Sequence, residues 1–439
     1  MRRRHTGFGG GRVDRRTFLV GAATVAASLG AAACGTNIGG GGSGGGSSSG
    51  GKVTLTHYYH QYGEKGTQQA VERYAQQYMK QNSNVEIKVQ WVPGDYTTKL
   101  NTALVGPNPP DVFESGQPTL QNVKQGQAVA LDDIFDGEKN DYFPNVQALN
   151  TINGHIYGAK IVTDVGLLYY RKSMLKSAGV APPTTAAELI SAAKTLTRGK
   201  VKGLFLGDDG GVAALYQLLG ESAGAKFVDN GKVGFATQAA AEAYQVLVEL
   251  NRQGSLLIGY QPDYLQPDAF INGLVAMQWT GLWVMPAVKA ALKDDFGVVP
   301  LPKAIDSGKP VSFLGGWTEV VNGHSKHVAE AKKYVKWLWV TNKSVQRDFN
   351  LSYGFHLPPR KSIAESAAPL KSGPAKDAVN ILDKYAVALG PMWDVTMDTA
   401  LQDAVSQIVQ KRADVPTSLS LLQTAQQKAQ AELDQELKG

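Results

Sequence analysis

Apolar and polar residues alternate along residues 53–59 and 85–91, whereas residues 66–81 carry their apolar side chains at helical spacing. Alternation predicts two β-strands, and the helical spacing predicts an amphipathic helix between them. A strand, helix and strand of these lengths place the two strands parallel in one sheet. In open α/β sheets, ligands collect at the carboxyl ends of the strands. Three residues that follow the first strand are therefore predicted at the rim of a site: His60, Gln61 and Tyr62.

A second informative pattern follows a short helical turn later in the chain. The apolar run at 274–279 has the length of a strand and is predicted to end in a turn at Thr280 and Gly281. Two indoles, Trp279 and Trp283, flank this turn. At least one of them is expected at a strand end facing a cleft, where its flat apolar face suits stacking on a sugar ring. The alternative places both indoles in the core. Thr280 is a candidate contact in the same cleft.

The closing part of the chain is predicted to be helical. Amphipathic spacing indicates helices at 237–253, 395–410 and 416–437, and a hairpin turn is predicted at Asn230-Gly231. The last two helices have apolar spacing suited to packing on the second half of the protein.

Composition places the chain among ordinary globular proteins, since 43% of its 439 residues are hydrophobic and 19% are charged. That length is sufficient for two domains. The formal net charge of +6 suggests a nucleic-acid partner at first sight. However, residues 1–33 hold six arginines and one aspartate, so they carry +5 and leave the remainder at +1. A nucleic-acid partner is therefore not expected.

The N-terminus has the three-part pattern of a secretory signal. Residues 1–16 are basic, residues 18–33 are apolar, and Cys34 closes the segment. The apolar part falls short of the roughly 20 residues that a membrane-spanning helix needs. Arg15-Arg16-Thr17-Phe18-Leu19 resembles the twin-arginine motif, which implies export of an already folded protein.

Cys34 is the only cysteine, so no intramolecular disulfide can form. Ala31-Ala32-Ala33-Cys34-Gly35 is similar to a bacterial lipobox, which implies that Cys34 is lipidated and begins the mature protein. Two or more acyl chains would anchor it stably in a membrane. The alternative is cleavage after Ala33 without lipid, which gives a free secreted protein. Residues 35–52, rich in Gly and Ser, are predicted to form a flexible tether.

The pattern around the two indoles also carries a family resemblance. The segment F-x-x-G-x-x-A-M at 270–277, followed by G-x-W at 281–283, resembles the signature of the family 1 extracellular solute-binding proteins of ABC importers, the maltose-binding-protein-like group. This resemblance implies an α/β, two-lobed fold of the type II periplasmic-binding-protein class, in which each lobe is a mixed β-sheet flanked by helices and the cleft lies at the hinge. Residues 53–164 and 313–363 would form the first lobe, and residues 165–312 and 364–439 the second. The resemblance also implies that Trp283 lies in the sugar cleft.

Further segments extend the resemblance along the chain. Residues 109–114 resemble the family's P-D-[IV] strand, residues 154–178 its crossover between lobes, residues 313–317 its return strand, and residues 389–393 a later motif. A carboxylate in such a cleft would accept charge-assisted hydrogen bonds from sugar hydroxyls. The resemblance makes these residues candidate ligand contacts: Glu114, Gln117, Asp164, Gly316, Trp317 and Trp393.

Three patterns that suggest catalysis or metal binding have simpler explanations. Residues 220–224 match the G-x-S-x-G nucleophile elbow, but a helix, not the required strand, is predicted before the serine. His57 and His60 are three residues apart, so a strand would point them to opposite faces. The acids between residues 132 and 141 do not fit a calcium loop, because its third position would be Ile134, and they are predicted to lie on the surface. No catalytic residue, metal or cofactor is expected.

The patterns together predict a lipid-anchored monomer on the extracellular face of the bacterial cell membrane. It would capture a sugar or oligosaccharide and deliver it to the permease subunits of an ABC importer. Two alternatives stay open. One is a secreted glycoside hydrolase, although nothing in the sequence marks the pair of carboxylates that such an enzyme needs. The other is a binding protein for a non-sugar solute, such as a polyol or a peptide.

Overall fold

Two β-sheets organise the part of the chain that the computed structural model describes, residues 52–438. The predictions for the signal at 1–34, for lipidation of Cys34 and for the tether up to residue 51 lie outside these residues. None of the helices within 52–438 combines the length and the apolar character needed to cross a bilayer.

The strands, in chain order, are β1 (Val53–His60), β2 (Val85–Val92), β3 (Val112–Ser115), β4 (Thr151–Ile152), β5 (His155–Ile156), β6 (Ala159–Lys160), β7 (Asp164–Tyr170), β8 (Lys202–Phe205), β9 (Lys226–Asp229), β10 (Lys232–Gly234), β11 (Val275–Gly281), β12 (Gly297–Val299), β13 (Ser312–Gly315), β14 (Thr318–Val321) and β15 (Ala386–Val387).

The α-helices are α1 (Thr67–Gln81), α2 (Tyr96–Leu104), α3 (Leu120–Lys124), α4 (Asp132–Phe135), α5 (Pro144–Ala148), α6 (Lys172–Ala178), α7 (Ala186–Leu196), α8 (Val212–Ser222), α9 (Gln238–Arg252), α10 (Asp268–Ile271), α11 (Met285–Leu292), α12 (Val328–Val335), α13 (Lys343–Ser352), α14 (Lys361–Ser366), α15 (Gly373–Tyr385), α16 (Val395–Lys411) and α17 (Val415–Lys438). Short 3₁₀ turns lie at Glu138–Asp141, Leu282–Val284 and Ala368–Leu370, and a π-helical turn lies at Lys336–Thr341.

The first sheet has the strand order β2-β1-β3-β14-β6. β1 runs parallel to β2 and β3, whereas β14 runs antiparallel to β3 and β6. The predicted strand, helix and parallel strand at the start of the described chain are therefore confirmed. Helix α1 buries Val71 and Tyr74 in the same apolar cluster as Leu55 and Tyr59 of β1. The carboxyl end of β1, at His60, lies at the same end of the sheet as the carboxyl end of the parallel strand β3.

The second sheet has the order β15-β13-β7-β11-β8, and β12 also pairs with β7. β7 is buried along almost its whole length, because the sheet is covered on both faces. Helices α16 and α17 pack on each other and on α8 and α9, in one apolar cluster with this sheet, as their apolar spacing predicts. The hairpin of β9 and β10 turns at Asn230 and Gly231, both at positive φ, which confirms the predicted turn.

The chain passes between the two sheets three times, and the three passages lie side by side. The first passage leads from β6 into β7, the second from β13 into β14, and the third from α13 towards α14. Trp317 N–H of the second passage donates to Val162 O of the first at 3.2 Å, and Thr163 and Leu357 exchange backbone hydrogen bonds of 2.9 Å. The predicted lobe boundaries at 312/313 and 363/364 fall inside β13 and α14. The chain leaves the second sheet after Gly315 and enters the first at Thr318, and the lobe boundaries stay a prediction.

The predicted turn at Thr280 and Gly281 is wrong. β11 continues to Gly281, which is paired with Gly166 of β7. The backbone turns only after Gly281, in the 3₁₀ turn Leu282–Val284. Pairing with β7 overrides the local turn signal, and Thr280 lies buried within the strand.

Candidate functional site

A cavity of about 340 Å³ lies at the three passages and is lined by residues of both sheets. From β1 and the segment that follows it come His60, Tyr62 and Glu64, and Trp317 comes from just before β14. From the second sheet come Asp164, Trp283 and Phe313, and His356 and Gly316 are added by the passages. The passages thus bring together residues that are far apart in the sequence.

One wall of the cavity is an aromatic stack fixed by a buried acid. The imidazole of His60 stacks on the indole of Trp317, with ring centroids 3.8 Å apart and 19° between planes. Glu114 accepts hydrogen bonds from His60 N at 2.8 Å, His60 Nδ1 at 2.7 Å and Tyr62 O–H at 2.7 Å. Burial and the nearby Glu114 carboxylate raise the pKa of Tyr62, so its hydroxyl stays a donor. Because Glu114 is fully buried and already holds three donors, it orients His60 and Tyr62 instead of reaching a ligand as predicted.

The opposite wall is formed by Trp283. Its indole lies directly over Gly281, where a β-carbon would come within 1.9 Å of the ring, so only glycine leaves space for it. The indole N–H donates to Leu265 O at 3.0 Å, and Phe313 packs beside the ring at 6.1 Å between centroids. Trp279 is 1% exposed in the core of the second sheet. Of the two indoles that flank Gly281, Trp283 therefore borders the cavity and Trp279 does not.

A buried imidazole between two carboxylates forms the floor of the cavity. His356 Nδ1 lies 2.7 Å from Asp164 Oδ1, and Nε2 lies 3.3 Å from Glu64 Oε1. Burial alone would lower the pKa of His356, but the two carboxylates outweigh it and raise the pKa to about 10. Burial likewise opposes ionisation of Glu64, yet the hydrogen bond and charge of His356 lower its pKa overall. His356 is therefore a cation at neutral pH, and it lies between the two acids.

Gly316 closes the cavity at the second passage. Its φ is +94°, and a β-carbon there would lie 2.1 Å from Val162 O. No other residue fits this position without moving the neighbouring passage.

A second cavity of about 390 Å³ lies beyond Trp317. Tyr96, Thr119 and Asn122 line it from the first sheet's side, and Pro391, Trp393, Asp394 and Glu436 line it from the second. Gly116 and Trp317 line both cavities, so together the cavities form one cleft between the sheets.

Three other predicted contacts lie outside the first cavity. Trp393 lines the second cavity, but its indole is 7% exposed and packs edge-on against Phe227 and Phe235, so its role as a stacking platform stays a prediction. Gln117 donates to Leu389 O at 3.2 Å, and Gln61 is exposed outside both cavities. Sequence reasoning missed Glu64 and His356, because single polar residues in loops carry no periodic signal.

The patterns that suggested catalysis have structural roles. The helix predicted before Ser222 is confirmed as α8, which continues through Ser222. The Ser222 hydroxyl donates to Lys309 O and accepts from Ala304 N. His57 is buried against Glu319, on the opposite face of β1 from His60. Within residues 52–438, no three histidines, cysteines or acids are arranged to hold a metal ion.

The predicted surface acids at 132–141 have one buried partner. Arg360, which is fully buried, forms ion pairs with Glu138 at 2.7 Å and with Asp141 at 3.1 Å. Burial would raise the pKa of Asp141, but hydrogen bonds from Ser362, Lys343 and Arg360 lower it to about 2. Part of this acidic segment is therefore structural, which corrects the prediction of a surface cluster.

Two sheets joined by three passages, with a lined cleft between them, define a two-lobed binding protein. Residues 73–378 match the family described as bacterial extracellular solute-binding protein, and the chain belongs to this family.

Named relatives and a solved structure agree with that membership. The chain is 26% identical over 308 residues to a probable ABC transporter-binding protein of Deinococcus radiodurans, covering 65% of this chain and 72% of the relative. It is 26% identical to a maltooligosaccharide ABC transporter solute-binding lipoprotein of Streptococcus pneumoniae, over 74% of this chain and 76% of the relative. The structure of the sugar-binding protein MalE from Xanthomonas citri superposes with a TM-score of 0.72 at 20% identity, covering 87% of this chain and 98% of that one. This superposition confirms the predicted α/β, two-lobed type II fold.

Proposed function

We propose that this protein captures a sugar or oligosaccharide outside the bacterial cell and delivers it to the permease subunits of an ABC importer. The observation that carries the proposal is the pair of indoles, Trp283 and Trp317, which come from different sheets and border the same cavity. Aromatic faces contact the C–H faces of a sugar, and a few fixed polar groups orient its hydroxyls. The names of the Streptococcus and Xanthomonas relatives support the same ligand class.

The polar groups around the indoles suit a polyhydroxylated ligand. His60 and Tyr62 are held in place by Glu114, and Asp164 and Glu64 offer carboxylate oxygens on the opposite side of His356. Groups that are fixed before the ligand arrives lose little conformational freedom on binding, which favours affinity. Closure of the two lobes around the ligand would be a hinge motion at the three passages, and the permease would distinguish the closed form from the open one.

The cavity between Trp283 and Trp317 is poorly suited to glycoside hydrolysis. Such an enzyme needs one carboxyl group whose pKa is raised so that it can protonate the leaving group. In this cavity Glu64 has a lowered pKa and Asp164 is paired with His356, so both are committed to one imidazole. We therefore propose binding without catalysis.

The membrane part of the proposal rests on the N-terminal sequence. Export through the twin-arginine route, lipidation of Cys34 and a tether at 35–52 would hold a monomer at the extracellular face of the cell membrane. Replacement of Cys34 by Ser should abolish incorporation of labelled fatty acid and release the protein into the medium. Retention of the Cys34→Ser protein in the membrane fraction would refute the lipid anchor.

The ligand class is tested by a thermal-shift screen of sugars, polyols and peptides, followed by calorimetry of the positive compounds. We expect at least one oligosaccharide to raise the melting temperature and to be recovered intact after hours of incubation. Recovery of cleavage products would favour a hydrolase. A response to polyols or peptides, with none to any sugar, would favour a non-sugar solute.

A further inference from the structure

The residues that line the two cavities carry an excess of negative charge. Neither lysine nor arginine lines either cavity in the described part of the protein. Five carboxylates border the cleft: Glu64, Glu114, Asp164, Asp394 and Glu436. Four basic side chains lie nearby: His60 and His356 on the walls, Lys160 behind Gly116, and Lys124 beside Glu436. Lys160 Nζ donates to Gly116 O at 3.2 Å, and Lys124 Nζ donates to Glu436 O. The five acids therefore outnumber the basic side chains around the cleft.

The excess is concentrated in the second cavity. In the first cavity, Glu64 and Asp164 share the charge of His356. In the second cavity, Asp394 and Glu436 form no ion pair within residues 52–438. Asp394 caps α16 by accepting from Met397 N at 2.7 Å, which leaves its charge uncompensated by a basic side chain. Burial and the charges of Asp394 and Glu432 raise the pKa of Glu436, and together they outweigh the charge of Lys124, which lowers it.

We propose that the cleft takes neutral or amine-bearing saccharides and excludes saccharides that carry a carboxylate, sulfate or phosphate group. This inference rests on the proposed sugar-binding function. A charge on the ligand loses water when the lobes close, and inside the cleft its interaction with fixed charges is stronger than in bulk solvent. A negative group placed there meets like charges and no lysine or arginine among the lining residues, whereas hydroxyls and amines donate hydrogen bonds to the carboxylates.

The test compares acids with amides of the same shape. The neutral oligosaccharide with the highest affinity in the sugar screen is converted to its C6 carboxylate and C6 carboxamide, and separately to its reducing-end carboxylate and carboxamide. Calorimetry measures the dissociation constant of each at low and at high salt. We expect each amide to bind at least about tenfold more tightly than its matched acid at low salt, with a smaller ratio at high salt.

Charge variants locate the effect in the second cavity. Asp394→Asn keeps an oxygen for the helix cap, and Glu436→Gln keeps its size, so the double variant removes two charges with little change of shape. It should reduce the ratio of amide to acid affinity severalfold. Asp434→Asn removes a charge from an exposed position on the same helix and serves as the matched control, with the ratio unchanged.

The outcomes separate this inference from the function on which it rests. If no saccharide binds at all, the proposed function fails. The inference is overturned if neutral saccharides bind but the matched acid and amide have equal affinities, because charge then does not decide affinity. It is also overturned if neither the acid nor the amide binds, whether the change is at C6 or at the reducing end. An unchanged ratio in the double variant would also overturn it.

Discussion

Removal of the Trp283 indole should weaken ligand binding without unfolding the protein. The indole lies on Gly281 and beside Phe313, while its remaining surface borders the cavity. A large aromatic side chain buries 150–250 Å² when fully covered, so a ligand on the free part covers roughly 60 Å². At about 25 cal/mol per Å², that area is worth about 1.5 kcal/mol. Trp283→Ala should therefore raise the dissociation constant about tenfold.

Calorimetry of the saccharide with the highest affinity measures this effect directly. Trp337→Ala is the matched control, because Trp337 is also a half-buried indole but packs on Tyr78 away from both cavities. Trp283→Phe keeps an aromatic face and should recover part of the affinity. If Trp283→Ala binds as tightly as the unmodified protein while its melting temperature is unchanged, Trp283 does not contact the ligand and the stacking argument fails.

Three further predictions concern the site and its support. The raised pKa of His356 contributes stability that is complete below its ordinary pKa of 6.5 and is lost as the pH rises through about 10. In denaturant titrations, the difference in unfolding free energy between the unmodified protein and His356→Gln should therefore shrink by a few kcal/mol over that range. A constant difference would contradict a protonated His356 between the two acids. Gly281→Ala should displace the Trp283 ring, so calorimetry should give a loss of affinity similar to that of Trp283→Ala, and unchanged binding would refute the close contact. Arg360→Met should lower the unfolding free energy by about 1–3 kcal/mol, because the buried Val340 O loses its donor and Glu138 and Asp141 lose one of two cations. Lys343 still pairs with both acids, and Asp141→Asn in the same chain should restore part of the loss; additive losses would argue against the ion pair.

Local patterns predicted the regular parts of this fold well. The alternation before His60 and the helical spacing after it are short-range signals, and the structure contains the strand, helix and parallel strand that they indicate. The end of β11 was harder to predict. Thr280 and Gly281 look like a turn in isolation, but pairing with β7 extends the strand through both residues. That pairing partner lies more than a hundred residues earlier in the chain, and no local pattern reports it.

Residues of the candidate site were only partly predictable for the same reason. Trp283 and Trp317 were selected from motif resemblance, and the structure brings both to one cavity. Trp393 looked equivalent in sequence, but its surroundings in the second core are set by β9 and the segment after β10, which contribute Phe227 and Phe235. His356 acquires its raised pKa from acids that are far away in sequence. A side chain's partners, and hence its chemistry, follow from tertiary packing.

The three neighbouring passages have a consequence for protein engineering. Asp164, Gly316 and His356 line the first cavity and also lie at the passages between the lobes. A replacement there therefore alters both ligand recognition and the geometry of the lobes. Pro391 and Asp394, on the far side of Trp317, line the cleft outside the three passages. A biosensor built on this scaffold would therefore be retuned for a new analyte at these two positions, with the residues of the passages left intact so that the reporter signal still follows occupancy.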